Sequence, residues 1–124
     1  MTGVQTCALP ISFVTFKTPE LGVRALTKVV KSNINATNSI ETYVNRYASE
    51  PSEKEYYKRT GKLKPHLQSY ANKLASSQGI KNTKIMPSSI NMKKWIKATA
   101  IAEGGGKSLK YFTDDVIERG IRMA

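Results

Sequence analysis

The stretch TPELGVRALTKVVK, residues 18–31, carries the signals of an amphipathic helix. Thr18 supplies a capping hydroxyl, Pro19 fits the first helical position, and Glu20 lies near the positive end of the helix. The apolar side chains that follow recur at the helical spacing on one side, which we expect to face a core: Leu21, Ala25, Leu26, Val29 and Val30. The chain is therefore predicted to fold around packed helices.

Similar signals predict two helices in the middle of the chain. Asn38 opens the first of them, with Glu41 three residues later as in a capping box. Pro65 opens the second, which ends near Gly79. The inward side chains predicted for these two helices are Ile40, Tyr43, Val44, Tyr47, Leu67, Tyr70, Ala71, Leu74 and Ala75.

Two more helices are predicted in the C-terminal third. One runs from about Ile90 to Glu103, after a serine cap at 88 or 89, and three consecutive glycines stop it. Thr113 caps the other. The apolar residues of this last helix are Val116, Ile117 and Ile121.

The segments between these helices lack a sustained apolar period. Residues 49–64 are polar and charged, so we expect a long loop with one helical turn at most, at Tyr56–Tyr57. Ser12–Lys17 alternate loosely, as in a short strand. Five helices and little strand predict an all-α or α-dominated α+β fold, a small multi-helix domain spanning residues 12–124.

The first eleven residues, MTGVQTCALPI, look like the translation of a sequencing adapter. We therefore expect residues 1–11 to be foreign to the native protein, and residues 12–124 to be the C-terminal part of a larger, N-terminally truncated domain. The single cysteine, Cys7, falls in this segment, so no nucleophilic thiol is predicted. With one histidine, His66, and no native cysteine, neither a metal site nor a cofactor is predicted.

The charge balance narrows the classes of partner. The 124 residues include 20 Lys and Arg against 9 Asp and Glu, a formal net charge of +11. A positive charge of this size attracts polyanions such as nucleic acid, anionic lipid, teichoic acid or the carboxylates of peptidoglycan. The sign of the charge alone does not identify which of these is the partner. A solvated basic surface without a ligand is the alternative. No stretch approaches the roughly 18 apolar residues that a membrane span requires.

Ten of the 20 basic residues fall into three clusters, one of which is mixed with Tyr56 and Tyr57. Such a mixture makes a nucleic-acid surface one interpretation, with a wall-attracting or solvated face as the others. The clusters are Arg24, Lys28 and Lys31; Lys58, Arg59, Lys62 and Lys64; and Lys93, Lys94 and Lys97.

Four blocks of the sequence, in order, resemble a family of phage and prophage virion proteins often called structural protein P5. They read FVTFKTPELGVRALTKVV (13–30), IETYVNRYA (40–48), QSYANKLA (68–75), and AIAEGGG (100–106) with YFTDDVIERGIRMA (111–124). The opening segment N-N-x-P-G-N-I-R that is usual in the family is absent. The resemblance implies a protein of the virion or of an infected or lysogenic bacterial host. For some members it implies a lysozyme-like fold and peptidoglycan cleavage, and for others a structural role alone.

Glu103 is the candidate catalytic residue. Met92, Ile96, Thr99 and Glu103 follow one another at spacings of four, three and four, so they share one stripe of the fourth helix. A carboxyl group on an apolar face near the negative end of a helix is shifted towards its neutral form. A general acid needs that form to protonate a glycosidic oxygen near neutral pH.

Two of the candidate substrate-binding residues directly follow Glu103, and the third lies beside the same stripe. Gly104 and Gly105 let a sugar chain approach the backbone closely, and Trp95 is adjacent to the stripe. The chain departs from the family block at Ala102 and Gly104, where the family usually has His and Asn.

Other interpretations stay open. In one of them, Glu103 lies in a frayed, solvated helix end near Lys107 or Lys110 and has no catalytic role. The protein is then a non-catalytic virion or wall-binding component, or a basic DNA-binding accessory. Asp114 and Asp115 are the nearest candidates for a second carboxylate. Acidic residues are favoured electrostatically at a helix start, so the position of these two is sufficiently explained by structure alone. A lytic transglycosylase works with one acid.

Overall fold

A computed structural model of the chain describes residues 17–105 and 110–124, and these residues form six helices and no strand. The all-α prediction is confirmed, with one helix more than expected. The predicted strand lies outside the described residues except for Lys17, which is in a bend. The helices are α1 (Pro19–Asn35), α2 (Ile40–Ala48), α3 (Pro51–Thr60), α4 (Pro65–Ser77), α5 (Met92–Gly104) and α6 (Asp114–Met123).

Two predicted caps are confirmed and two are wrong. The hydroxyls of Thr18 and Thr113 accept backbone N–H bonds three residues on, as expected. α2 is capped by Ser39, whose hydroxyl accepts the Thr42 N–H at 3.0 Å, and not by Asn38 with Glu41. α5 is capped by Asn91 and not by a serine at 88 or 89. At the start of both α2 and α5, the residue directly before the helix supplies the side-chain oxygen that accepts a free N–H group of the first turn.

The segment predicted as a long loop, residues 49–64, contains α3. Pro51 takes the first helical position, the Glu53 carboxylate accepts the Glu50 N–H at 2.8 Å, and Gly61 ends the helix at φ 73°. None of the residues of α3 is buried. The helix was missed because an exposed helix has no apolar stripe.

The core is centred on Trp95, which is fully buried. The ring of Tyr43 meets Trp95 edge-on at 5.0 Å, and Tyr47 stacks on Tyr43 at 5.6 Å. All five inward residues predicted for α4 are buried, which confirms that face. Further fully buried apolar side chains come from α1, α2, α5 and α6: Val23, Leu26, Val30, Ile40, Val44, Ile96 and Ile117.

The buried face of α1 is displaced from the predicted one. Leu21, Ala25 and Val29 are only half-buried, whereas Val23 and Thr27 are fully buried. The reason is α6, the helix that packs most extensively on α1. Gly120 of α6 lies so close that an added Cβ would clash with Val23 and would lie 2.8 Å from the Glu20 carbonyl oxygen.

Candidate functional site

A cleft of about 420 Å³ opens where α2 ends, α3 begins and the end of α5 meets α4. Three of the nine acidic residues of the chain lie in this cleft, against one lysine, so an acidic site is set into a basic molecule. The lining residues are Ala48, Glu50, Glu53, His66, Leu67, Ser69, Tyr70, Lys73, Ala102 and Glu103.

Glu103 lies in the wall of this cleft, in the last turn of α5. Its side chain is half-buried, and Oε2 is shielded from solvent without a well-aligned hydrogen-bond partner. Burial raises the pKa of the carboxyl group above its ordinary value of 4.5, and the nearby Tyr70 hydroxyl partly opposes that rise. Lys107 lies outside the described residues, and within them Glu103 forms no ion pair. The geometry thus differs from that of a frayed, solvated helix end.

Buried polar atoms continue inward from Glu103. The Tyr70 side chain is 7% exposed, and its hydroxyl, like that of Tyr43 and the indole nitrogen of Trp95, has no well-aligned partner. Burial raises the pKa of both phenols well above the ordinary value, so they stay protonated donors. These groups form two poorly aligned pairs, Tyr43 with Trp95 and Tyr70 with Glu103, and water or a ligand group can complete their bonds.

The predicted substrate-binding residues are not on the cleft surface. Trp95 is 0% exposed and packs in the core, so no face of its ring is open to a sugar. Gly104 and Gly105 are exposed at the end of α5, and the cleft wall there consists of Ala102 and Glu103 instead. Gly105, at φ 71°, donates its N–H to the Ile101 carbonyl at 2.7 Å and so ends the helix. The position of Trp95 therefore does not support direct contact with a glycan.

Sequence reasoning missed the opposite side of the cleft. Glu53 Oε2 lies 2.9 Å from His66 Nε2, and Glu53 Oε1 accepts the Glu50 N–H. Lys73, one turn beyond Tyr70 on α4, also lines the cleft. Glu53 was overlooked because α3 was taken for a loop. Pro51 followed by an acid two residues later was the one signal that pointed to a helix start here.

The carboxylates nearest to Glu103 in sequence have structural roles. Asp114 is in the first turn of α6, and its Oδ1 accepts a bond from Lys97 of α5 at 3.1 Å. This bond, together with the charge of Lys93, lowers the pKa of Asp114. Asp115 lies 3.7 Å from Arg119 on the same helix. Neither aspartate lines the cleft of Glu103.

No protein-family model, no curated protein and no solved structure matches this chain. Within residues 17–105 and 110–124, no helix is long and apolar enough to cross a membrane. In the same part of the chain, no three His, Cys, Asp or Glu side chains are grouped so as to hold a metal ion.

Proposed function

We propose that this chain is a phage-type, virion-associated protein that cleaves a glycosidic bond in bacterial peptidoglycan, with Glu103 as the general acid. The observation that carries the proposal is the carboxyl group of Glu103, half-buried in an open cleft with its pKa raised by burial. The ordered resemblance to the virion protein family supports the choice of peptidoglycan as the substrate.

The chemistry follows from the protonated state of Glu103. A neutral carboxyl group that reaches a glycosidic oxygen donates its proton as the bond from that oxygen to the anomeric carbon breaks. Neighbouring polar groups in the cleft, from Ser69, Tyr70 and Lys73, supply donors for sugar hydroxyl and amide groups. A cleft volume of about 420 Å³ lies within the usual range for small-ligand sites.

Glu103→Gln tests the proposal because it keeps the shape of the side chain and removes the proton that is donated. We expect release of soluble fragments from purified sacculi to fall by about 100-fold or more. Glu55→Gln is the matched control, since Glu55 is an exposed glutamate on α3 that does not line the cleft. Equal rates for the wild type and Glu103→Gln would exclude the proposed mechanism.

A non-catalytic, wall-binding virion component is the second candidate. It is favoured by Arg24, Lys28 and Lys31, which recur along α1, are exposed, and form no ion pair within the described residues. A protein of this kind sediments with sacculi at low salt without releasing fragments. The third candidate is the DNA-binding accessory. It would be favoured if the protein binds duplex DNA and the logarithm of its binding constant falls steeply with the logarithm of the salt concentration.

A further inference from the structure

Glu53 is a second carboxylate that the fold holds in place at the cleft. Its side chain is 16% exposed, and both oxygens are engaged: Oε1 with the Glu50 N–H at 2.8 Å, Oε2 with His66 Nε2 at 2.9 Å. Glu53 is also in the first turn of α3, where negative charge is favoured by the helix dipole. The environments of Glu53 and Glu103 are therefore opposite, one polar and bonded, the other shielded and without a well-aligned partner.

Glu50, the other acid of the cleft, is less constrained. It is exposed and precedes the first residue of α3. Asp114 and Asp115 are on α6 and are engaged by Lys97 and Arg119. Glu53 is thus the carboxylate that shares the cleft with Glu103 and is fixed there by its own bonds.

Tyr70, whose hydroxyl lies beside the carboxyl group of Glu103, supports the assignment of this cleft as a binding site. Its side chain is 7% exposed, it lines the cleft, and its hydroxyl has no well-aligned partner. A buried hydroxyl with only a poorly aligned neighbour has lost its bonds to water without full replacement. A hydroxyl or amide group of a sugar bound between α4 and α5 would satisfy it.

We propose that Glu53 is the general base of the reaction for which Glu103 is the general acid, and that His66 is its positioning residue. Water attacks the anomeric carbon and gives its proton to Glu53, while the bond to the leaving oxygen breaks and that oxygen takes the proton of Glu103. Each carboxyl group then exchanges its proton with solvent and returns to its starting state. This inference rests on the proposed glycan cleavage, and it assigns the activity to hydrolysis.

The test measures two things, the chemical nature of the cleavage product and the effect of Glu53→Gln on the rate of cleavage. Sacculi are digested in water enriched in oxygen-18 with the wild type, Glu53→Gln, Glu103→Gln and the control Glu55→Gln. We expect one labelled oxygen at the new reducing end, and a loss of about 100-fold or more for Glu53→Gln. Glu53→Ala with added azide should recover cleavage and form a glycosyl azide, a result that a purely structural role does not produce.

The outcomes separate this inference from the function on which it rests. Unlabelled anhydro-sugar ends, or Glu53→Gln cleaving like the wild type while Glu103→Gln is inactive, would overturn the role of Glu53 and leave that of Glu103. No cleavage by the wild type would overturn both. If Glu53→Gln loses its helical signal, Glu53→Asp keeps the charge at the start of α3, and its shortened carboxylate should still reduce the rate.

Discussion

At the scale of single residues, Glu103 destabilises the fold in its charged form. A shielded carboxylate oxygen without a well-aligned partner loses its hydration and gains little in exchange. The neutral form avoids most of that loss, which is why the pKa of Glu103 lies above 4.5. Residues selected for a reaction often carry a local penalty in stability of this kind.

The pH dependence of stability follows from the sign of that shift. A raised pKa in the folded state stabilises the fold fully below pH 4.5, and this contribution is lost as the pH rises through the folded-state pKa. Glu103→Gln stays neutral, so we expect it to unfold like the wild type in acid and to be more stable than the wild type at neutral pH. Thermal melts of both proteins across this range measure the difference.

The comparison between the two proteins removes the effect of other acids. Lys97 and Lys93 lower the pKa values of Asp114 and Glu118, so these groups contribute stability that is lost towards acid pH in both proteins. A stability difference that does not change with pH would show that Glu103 is not the titrating group.

At the scale of the elements, one buried carboxylate joins the middle of the connection between α4 and α5 to α2. Glu41 of α2 is 4% exposed and accepts a bond from the Thr83 hydroxyl at 2.6 Å, with Lys84 at 3.3 Å. The backbone of Glu41 also donates to the Thr83 carbonyl at 2.9 Å. A residue that resembles part of a helix cap in sequence thus fixes a segment more than forty residues away.

Glu41→Ala leaves the Thr83 hydroxyl buried without its acceptor. We expect the free energy of unfolding to fall by about 2–3 kcal/mol, measured by urea denaturation. Lys84→Ala is the control, because the Lys84 side chain is 71% exposed and its ion pair should contribute no more than about 1 kcal/mol. Equal losses for the two variants would contradict the importance of the buried bond.

The packing of α1 against α6 depends on the absence of a side chain at Gly120. An alanine Cβ there would clash with Val23 and approach the Glu20 carbonyl oxygen to 2.8 Å. Since the obstacle includes backbone, we expect Gly120→Ala to destabilise the fold by about 1–3 kcal/mol. Ser76→Ala, on the exposed surface of α4, should change stability by less than about 0.5 kcal/mol. An unchanged urea midpoint for Gly120→Ala would show that the helices are not this close.

How much the sequence predicts differs between these elements for physical reasons. α4 has a complete apolar stripe, and its inward residues were predicted correctly. On α1 the position of α6 decides which face is buried, and Gly120 on a distant helix gives no local signal of that position. α3 has no buried residue and so no stripe. Glu103 was found because its helix has an apolar stripe that the sequence shows. The contact of Glu53 with His66 joins two different helices, so no local sequence pattern indicates it.

At the scale of the whole molecule, the proposed function assigns substrate binding to two features, the net charge of +11 and the acidic cleft. Under that proposal, the basic exterior attracts an anionic polymer over a distance of several ångströms, and the acidic cleft acts on a neutral sugar linkage. The first of these effects is screened by salt, with a Debye length of about 10 Å at 0.1 M and about 3 Å at 1 M.

Arg24→Gln, Lys28→Gln and Lys31→Gln combined should therefore weaken sedimentation with sacculi at 0.1 M salt and have little effect at 1 M. The three side chains are exposed, so the fold and the cleft are expected to remain intact. Neutralising Lys93 and Lys97 is not an equivalent control, because these residues pair with Asp114 and Glu118 of α6. The same loss at both salt concentrations would argue against an electrostatic attraction.

The most direct test of the account is a carbon-13 NMR titration of the Glu103 side-chain carboxyl group. Its resonance is assigned by its disappearance in Glu103→Gln. We expect a titration midpoint above 4.5, because burial in the cleft wall raises the pKa of this group. A midpoint at or below that value would show a solvated carboxylate at the end of α5, and would contradict the role of Glu103 as a general acid.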